Sequence, residues 1–413
     1  MSTSFSRDRR QLLGTLAAVG GASLVPRAWA QSAAPLKDGR LILVFLRGAY
    51  DGLSAAVPYA DADYARSRPH TAIPVPDGSA EAALRLDQTF ALHPALAPLL
   101  PLWQSGVLGF IPAAGSPDAT RSHFEAQIHW EIGMPGKSNA PSGWLNTLAS
   151  IGAGGANAQL AIGVGEANPK ILSGPAAVRL IPRGQAATRE GVLGNDRARQ
   201  ALLDLYAGQD QMSRAFRQGA DSRMMSAQEL SAENIAADNG ATGAEGLMLD
   251  AQHLGTLMRN DRRLRLGFLS AGGWDTHANQ GAVTGLLAQN LGRLAQALTQ
   301  LRRDFSEPGD LITIVSEFGR TAVENGTRGT DHGHGNALWL IGNRINGGRW
   351  HGQWSGLARA NLNEGRDLPV HHDFRAVFAQ VLRAGFGVGE RQLQDVFPGA
   401  KFDTRLSGLL KTA

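Results

Sequence analysis

The stretch Leu41-Ile42-Leu43-Val44-Phe45-Leu46, closed by Arg47-Gly48-Ala49-Tyr50-Asp51-Gly52, carries the reading of the fold. An unbroken apolar run of this length, rich in strand formers, suits a strand buried on both faces, as in a parallel sheet. The turn-like segment after it ends in Asp51, a residue that either ligates a cation or bonds the Gly52 turn. Similar runs recur at Val107 to Ile111, Leu160 to Val164, Leu264 to Leu269, Leu311 to Val315 and Ala337 to Ile341. Between them lie helical patterns at about 196–207, 244–260 and 373–386. The clearest is Val283, Leu287, Leu291, Leu294, Leu298, Leu301 and Phe305, one apolar stripe at steps of three and four. Strands alternating with helices predict an α/β fold, a three-layer sandwich around a mostly parallel sheet. The polar, Met-containing stretch of about 185–260 reads as a helical cap or insertion on a single domain spanning 31–413.

In open α/β sheets the ligand site lies beyond the carboxyl ends of strands. Asp51, Asp275 and Glu317 fall just after expected strands and meet that rule. In Gly273-Trp274-Asp275-Thr276-His277 a carboxylate and an imidazole sit two apart on a flexible loop. They turn either to one ion or to backbone amides and solvent. Gly329-Thr330-Asp331-His332-Gly333-His334-Gly335 places two imidazoles and a carboxylate in a Gly-rich loop before a strand. With 11 histidines in all, two in one loop favour ligation over simple capping of that strand. In Ser316-Glu317-Phe318-Gly319-Arg320, Glu317 is a ligand, a general base or the partner of Arg320. Thr120-Arg121-Ser122-His123-Phe124-Glu125 reads as a helix start, with Ser122 and Glu125 matching a capping box. The same geometry suits a Ser122 nucleophile in the positive field of a helix N-terminus, with Arg121 and His123 assisting. Asp373 reads as an N-cap after His371-His372, and His70, His93, His129 and His351 as structural.

Hydrophobic content of 43% with 18% charged residues marks a globular chain. There is no Cys, so disulfides and thiolate chemistry are excluded. Residues 1–30 read as an export signal. Arg9-Arg10 precedes the apolar stretch Leu12 to Val25, and Ala28-Trp29-Ala30 has the small-x-small form of a signal-peptidase site. Arg7-Asp8-Arg9-Arg10-Gln11-Leu12-Leu13 resembles a twin-arginine signal, which predicts the twin-arginine translocase as an export partner and a periplasmic or otherwise exported location. The formal charge of +4 falls to +1 once the four arginines and one aspartate of this segment are removed. The basicity is therefore mostly signal, and it predicts no nucleic-acid partner. No other apolar stretch reaches membrane-spanning length.

These motifs carry a family resemblance. Phe45 to Gly52, Arg121-Ser122-His123-Phe124, Gly273 to His277, Ser316 to Arg320 and Gly329 to Gly333 occur in the order of the bacterial family called domain of unknown function 1501. The chain resembles it from about residue 40 to 400. That family is in turn similar to the alkaline phosphatase and sulfatase superfamily. The resemblance implies an alkaline-phosphatase-like sandwich with a two-metal site. Asp51 and Ser122 match that superfamily's strand-end Asp and its nucleophile, and Asp275 with His277 its Asp and nearby His. His332 or His334 supplies a late His. The superfamily's Asp-His-Gly after a strand is here either Glu317-Phe318-Gly319, where Phe318 cannot ligate, or Asp331-His332-Gly333 on a longer loop, with His334 or His351 then the late His. Formylglycine-type sulfatase chemistry lacks its Cys or Ser motif here.

The expectation is an exported hydrolase of small anionic phosphate or sulfate esters. A divalent metal, Zn or Mn, would be held by Asp51, Asp275, His277, Asp331, His332 and His334. Ser122, Arg121, Glu317 and Arg320 would do the chemistry. The alternative is a non-catalytic periplasmic binding or assembly protein on the same fold.

Overall fold

A computed structural model describes residues 37, 39–153, 159–184, 195–221, 224, 246–402, 405, 406 and 408–411. The chain divides into Met1–Pro35 and Leu36–Ala413. The first unit, with the expected export signal, lies outside the described residues.

An eight-stranded sheet in the order β11-β5-β10-β9-β1-β8-β6-β7 forms the centre. Its strands are β1 (Arg40–Leu46), β5 (Leu108–Gly115), β6 (Ala161–Gly165), β7 (Val178–Pro182), β8 (Leu266–Ala271), β9 (Asp310–Val315), β10 (Asn336–Gly342) and β11 (His372–Asp373). A small antiparallel sheet joins β2 (Ala56–Val57), β4 (Ala91–Leu92) and β3 (Leu84–Arg85) beside it. The apolar run that opens the reading is β1, wholly buried and parallel to both neighbours, with Leu41 beside Leu266 of β8 and Leu311 of β9. β10 alone among the described strands of the large sheet runs against its neighbours, β5 and β9.

Alternate residues of β1 serve opposite faces, as the pleat requires. Ile42, Val44 and Leu46 share a core with Leu254, Leu291 and Leu298, from helices Leu247–Asn260 and Leu286–Asp304. Leu41, Leu43 and Phe45 pack with Trp130, Trp144 and Phe378, from helices His123–Ile132, Trp144–Gly152 and Phe374–Val381. Helices thus cover both faces. Each such side chain, fully buried, contributes roughly 1.5–3 kcal/mol.

The long apolar stripe is a helix over Leu286–Asp304 only. Val283 instead packs against the small core that includes Leu53 and Tyr64, because positive-φ glycines at 281 and 285 turn the chain before the helix begins. Within 185–260 the described residues include helices Asp196–Leu205 and Leu247–Asn260. The second belongs to the layer over the main sheet. No helix among the described residues is long and apolar enough to cross a membrane.

Below the carboxyl edge of the sheet lies a buried polar network. Asp51 Oδ2 meets Arg68 Nη1 at 2.5 Å, with side-chain exposures of 1% and 0%. Asp51 also accepts from Ser54 Oγ at 2.7 Å and Gln280 Nε2 at 2.7 Å. Arg68 donates on to the carbonyls of Thr321 and Ala322, both at 2.9 Å. Burial alone would raise the Asp51 carboxyl pKa, but the Arg68 guanidinium outweighs it and holds the group below the usual range. Removing one partner of such a pair leaves an uncompensated buried charge and costs about 3–5 kcal/mol. Asp51→Ala or Arg68→Ala should therefore lower the stability measured by urea denaturation by that amount. Because the folded pKa is depressed, the contribution of Asp51 is whole above the unfolded value near ~3.9 and is lost as pH falls through the folded one. An Asp51→Ala chain with wild-type stability at pH 7 would refute this account.

Candidate metal centre

The reversed direction of β10 brings its starting end to the edge where the parallel strands finish. The loops after β1, β5 and β8 and the connection from β9 to β10 therefore meet. His123, Asp275 and His332 offer three ligand atoms that all lie within 4.8 Å of one another. They come from a helix start, the loop after β8 and the loop before β10.

The protonation of each imidazole follows from its Nδ1 partner, which is an acceptor in every case. His123 Nδ1 faces Glu317 Oε1 at 2.7 Å, His332 Nδ1 faces the Arg121 carbonyl at 2.8 Å, and His277 Nδ1 faces Asp331 Oδ1 at 3.1 Å. Each Nδ1 therefore carries a hydrogen, and each ring turns its Nε2 toward Asp275. His277 Nε2 is 3.0 Å and His332 Nε2 3.3 Å from Asp275 Oδ1, and the two nitrogens are 2.9 Å apart. His123 Nε2 lies 3.5 Å from Asp275 Oδ2, buried and without a hydrogen-bond partner among the described residues. Nε2 atoms gathered around one carboxylate mark a place where a cation or a shared proton would stand. The donor set, two or three imidazoles and a carboxylate, suits a divalent ion of borderline softness.

Supporting groups fix this arrangement. Glu317, 1% exposed, accepts from His123, from Gly48 N at 2.8 Å, from Gln127 Nε2 at 2.9 Å and from Ser316 Oγ at 2.9 Å. Burial would raise its pKa, but these donors, His123 foremost, hold it below the ordinary carboxylate range. The bond to Glu317 in turn raises the pKa of His123, while burial lowers that of His332. Asp275 is disfavoured as an anion by its partial burial, yet Arg320, 2.6 Å from its Oδ1, holds its pKa down. Arg320 is itself anchored on Thr330 Oγ1 at 3.1 Å. Asn325 Nδ2 donates to Asp331 at 2.9 Å, the main reason that carboxyl stays ionised below its ordinary range.

The site residues expected from sequence divide. Asp275, His277, Asp331 and His332 come together. Asp51 is held by Arg68 instead, and its carboxylate is fully engaged. His334 turns away, its Nε2 2.9 Å from the Ser116 carbonyl. Ser122 is the N-cap of helix His123–Ile132, its Oγ accepting from Glu125 N at 3.4 Å. Arg121 pairs with Glu364 at 2.7 Å and Asp367 at 3.3 Å. Arg320 braces Asp275. Phe318 does not ligate but stacks on the His123 ring at 4.8 Å. Sequence reasoning gave His123 only an assisting role and gave Gln127 none. Their spacing of four on one helix face was the available signal.

Comparison with known proteins follows this geometry. Residues 107–397 match the family model described as a protein of unknown function, DUF1501, and the chain belongs to that family. No curated protein matches. A solved structure described as "Crystal structure of Ps i-CgsB" is 13% identical, covers 86% of this chain and 73% of its own, and has a TM-score of 0.30, too slight a likeness for argument.

One consequence is measurable without any metal. Since Glu317 is the main cause of the raised His123 pKa, Glu317→Gln should lower the midpoint of the His123 imidazole titration followed by NMR in chelator-treated protein. An unmoved midpoint would show that the contact does not hold in solution.

Proposed function

We propose that this chain is an exported, metal-dependent hydrolase of phosphate or sulfate esters. The observation that carries the reading is the convergence of His123, Asp275 and His332, whose ligand atoms all lie within 4.8 Å of one another. His277 stands within reach as a further ligand, and Asp331 orients it. Zn or Mn suits this donor set. A divalent ion held there would supply Lewis-acid polarisation of an ester oxygen.

The remaining roles belong to the chain itself. Glu317 fixes the tautomer of His123 and keeps its Nε2 directed at the site, a positioning role. Arg320 keeps the Asp275 carboxylate ionised and in place. Ser122, next to His123 at a helix N-terminus, would act as nucleophile. Residues 1–30 act as a twin-arginine signal, and the mature chain begins at Gln31.

A second reading, a periplasmic binding or assembly protein without turnover, is favoured by one observation. The Ser122 hydroxyl already serves as a cap, and Arg121 beside it is neutralised by Glu364 and Asp367.

Elemental analysis of protein purified without chelator separates these readings. The first expects about one equivalent of divalent metal, lost in Asp275→Ala, and a 10–100-fold weaker affinity in Glu317→Gln. Aryl phosphate, phosphodiester and sulfate substrates assayed with several divalent ions should then reveal turnover that Ser122→Ala abolishes while retaining the metal. Turnover unchanged in Ser122→Ala removes the nucleophile assignment, bound metal without turnover supports the second reading, and protein that binds no divalent ion sinks the metal site. Mass spectrometry of the exported protein should find Gln31 as its first residue, and a retained N-terminus would refute cleavage after Ala30.

A further inference from the structure

Behind the candidate ligands lies a further layer of contacts that begins at the end of β1. Arg47, the residue after that strand, is its hub. Arg47 Nε and Nη2 meet Glu166 Oε1 and Oε2 at 2.5 and 2.9 Å, a two-pronged pairing with the loop after β6. Arg47 Nη1 donates to Glu131 Oε1 and to Gln127 Oε1, both at 2.9 Å. Glu131, 4% exposed, accepts in turn from Ile171 N at 2.8 Å, and Glu166 accepts from Ser270 Oγ. His123, Gln127 and Glu131 stand four apart and share one face of helix His123–Ile132. Arg47 grips that face at two of these positions, and the remaining one is a candidate ligand.

Gln127 is a neutral amide between two charges. A guanidinium only donates, and an ionised carboxylate only accepts. The amide must therefore present its oxygen to Arg47 and its Nε2 to Glu317 Oε1, which it meets at 2.9 Å. Turned the other way, it would set donor against donor and acceptor against acceptor, and both bonds would be lost. Glu317 Oε1 also takes His123 Nδ1 at 2.7 Å and Gly48 N at 2.8 Å. Any loosening of the amide thus falls on the oxygen that sets the His123 ring.

We propose that Arg47 and Gln127 are positioning residues for the candidate metal centre: Arg47 fixes the Gln127 amide, and the amide fixes Glu317 behind His123. The effect on a cation rests on the metal-site reading above, whereas the relay of contacts exists without one. Neither residue is a candidate ligand. Lysine at position 47 would keep the charge but lose the planar fork, so it could not pair with Glu166 at two points and hold Gln127 as well.

The test uses the full mature chain, 15N-labelled at glutamine side chains. The Gln127 signals are assigned by their absence from Gln127→Met, which keeps the length and apolar stem of the side chain. In chelator-treated protein one Gln127 Nε2 hydrogen should lie downfield of its position in the urea-unfolded chain, as a bond to a carboxylate requires. Arg47→Lys should return it toward that position. Should Arg47→Lys fail to fold, Glu166→Gln, at a side chain 27% exposed, loosens the same guanidinium. No downfield hydrogen in the wild type, or one unmoved by these changes, overturns the relay whether or not a metal binds. The affinity for Zn is then measured by competition with a chromophoric chelator. Gln127→Met and Arg47→Lys should each weaken it about tenfold, the lower end for changes behind a ligand. The double variant should bind no more weakly than Gln127→Met alone, because Arg47 acts through that amide. Losses that multiply, or wild-type affinity in Gln127→Met, overturn the proposal. Wild-type protein that binds no Zn or Mn removes the metal reading instead, so the two failures are distinguishable.

Discussion

The buried contact between Asp51 and Arg68 is the constraint on which the rest of the site depends. Two full charges removed from water are tolerable only with excellent geometry and further hydrogen bonds. Here Ser54, Gln280 and the carbonyls of Thr321 and Ala322 provide them. Gln280 also accepts from Thr276 Oγ1 at 2.7 Å and Thr330 Oγ1 at 2.9 Å. Thr330 in turn anchors Arg320, and Arg320 holds Asp275. One connected network thus fixes the loops after β1 and β8 and the connection from β9 to β10. Asp275 is tied to this network through Arg320, so the position of that candidate ligand is set by groups that are not themselves candidate ligands. Satisfied buried networks of this kind specify a single arrangement, since any alternative leaves polar groups unpaired.

The same logic orders the ligands. Their convergence gains meaning from the tautomers imposed on the far side of each ring. Glu317, the Arg121 carbonyl and Asp331 each take an Nδ1 hydrogen, and each directs an Nε2 inward. Acceptors behind imidazoles are how proteins raise ligand basicity and fix ring orientation. Phe318 completes the support by stacking on His123, so a residue that looked like a missing ligand serves as a wall.

How much of this could be read from residues alone depends on how local each cause is. The continuous apolar runs gave β1, β8, β9 and β10 within about two residues, because double-sided burial leaves an unmistakable composition. β7 escaped notice because its burial alternates between buried and intermediate, as at a sheet edge. The direction of β10 was not written in its composition, and that direction decides which loops meet. The cluster of Asp275, His277, Asp331 and His332 was legible as chemistry, since scarce residue types crowd short loops. Asp51 was misjudged because its partner, Arg68, carries no motif, and the pairing exists only in three dimensions. His334 was grouped with His332 by spacing, but the backbone between them directs it to Ser116. His123 was undervalued because its partner Glu317 lies 194 positions away.

The central placement of β1 has a consequence for how the molecule is made. The first strand among the described residues pairs with two of the later ones, and its first residue, Arg40, meets Asp310 across 270 positions of chain. Until β8 and β9 have been synthesised, β1 has no hydrogen-bonding neighbours on either side. Topologies dominated by such distant pairings close slowly and expose apolar surface while they wait. The sheet therefore matures only after most of the polypeptide exists, and a nascent chain halted before β8 would present a bare hydrophobic strand.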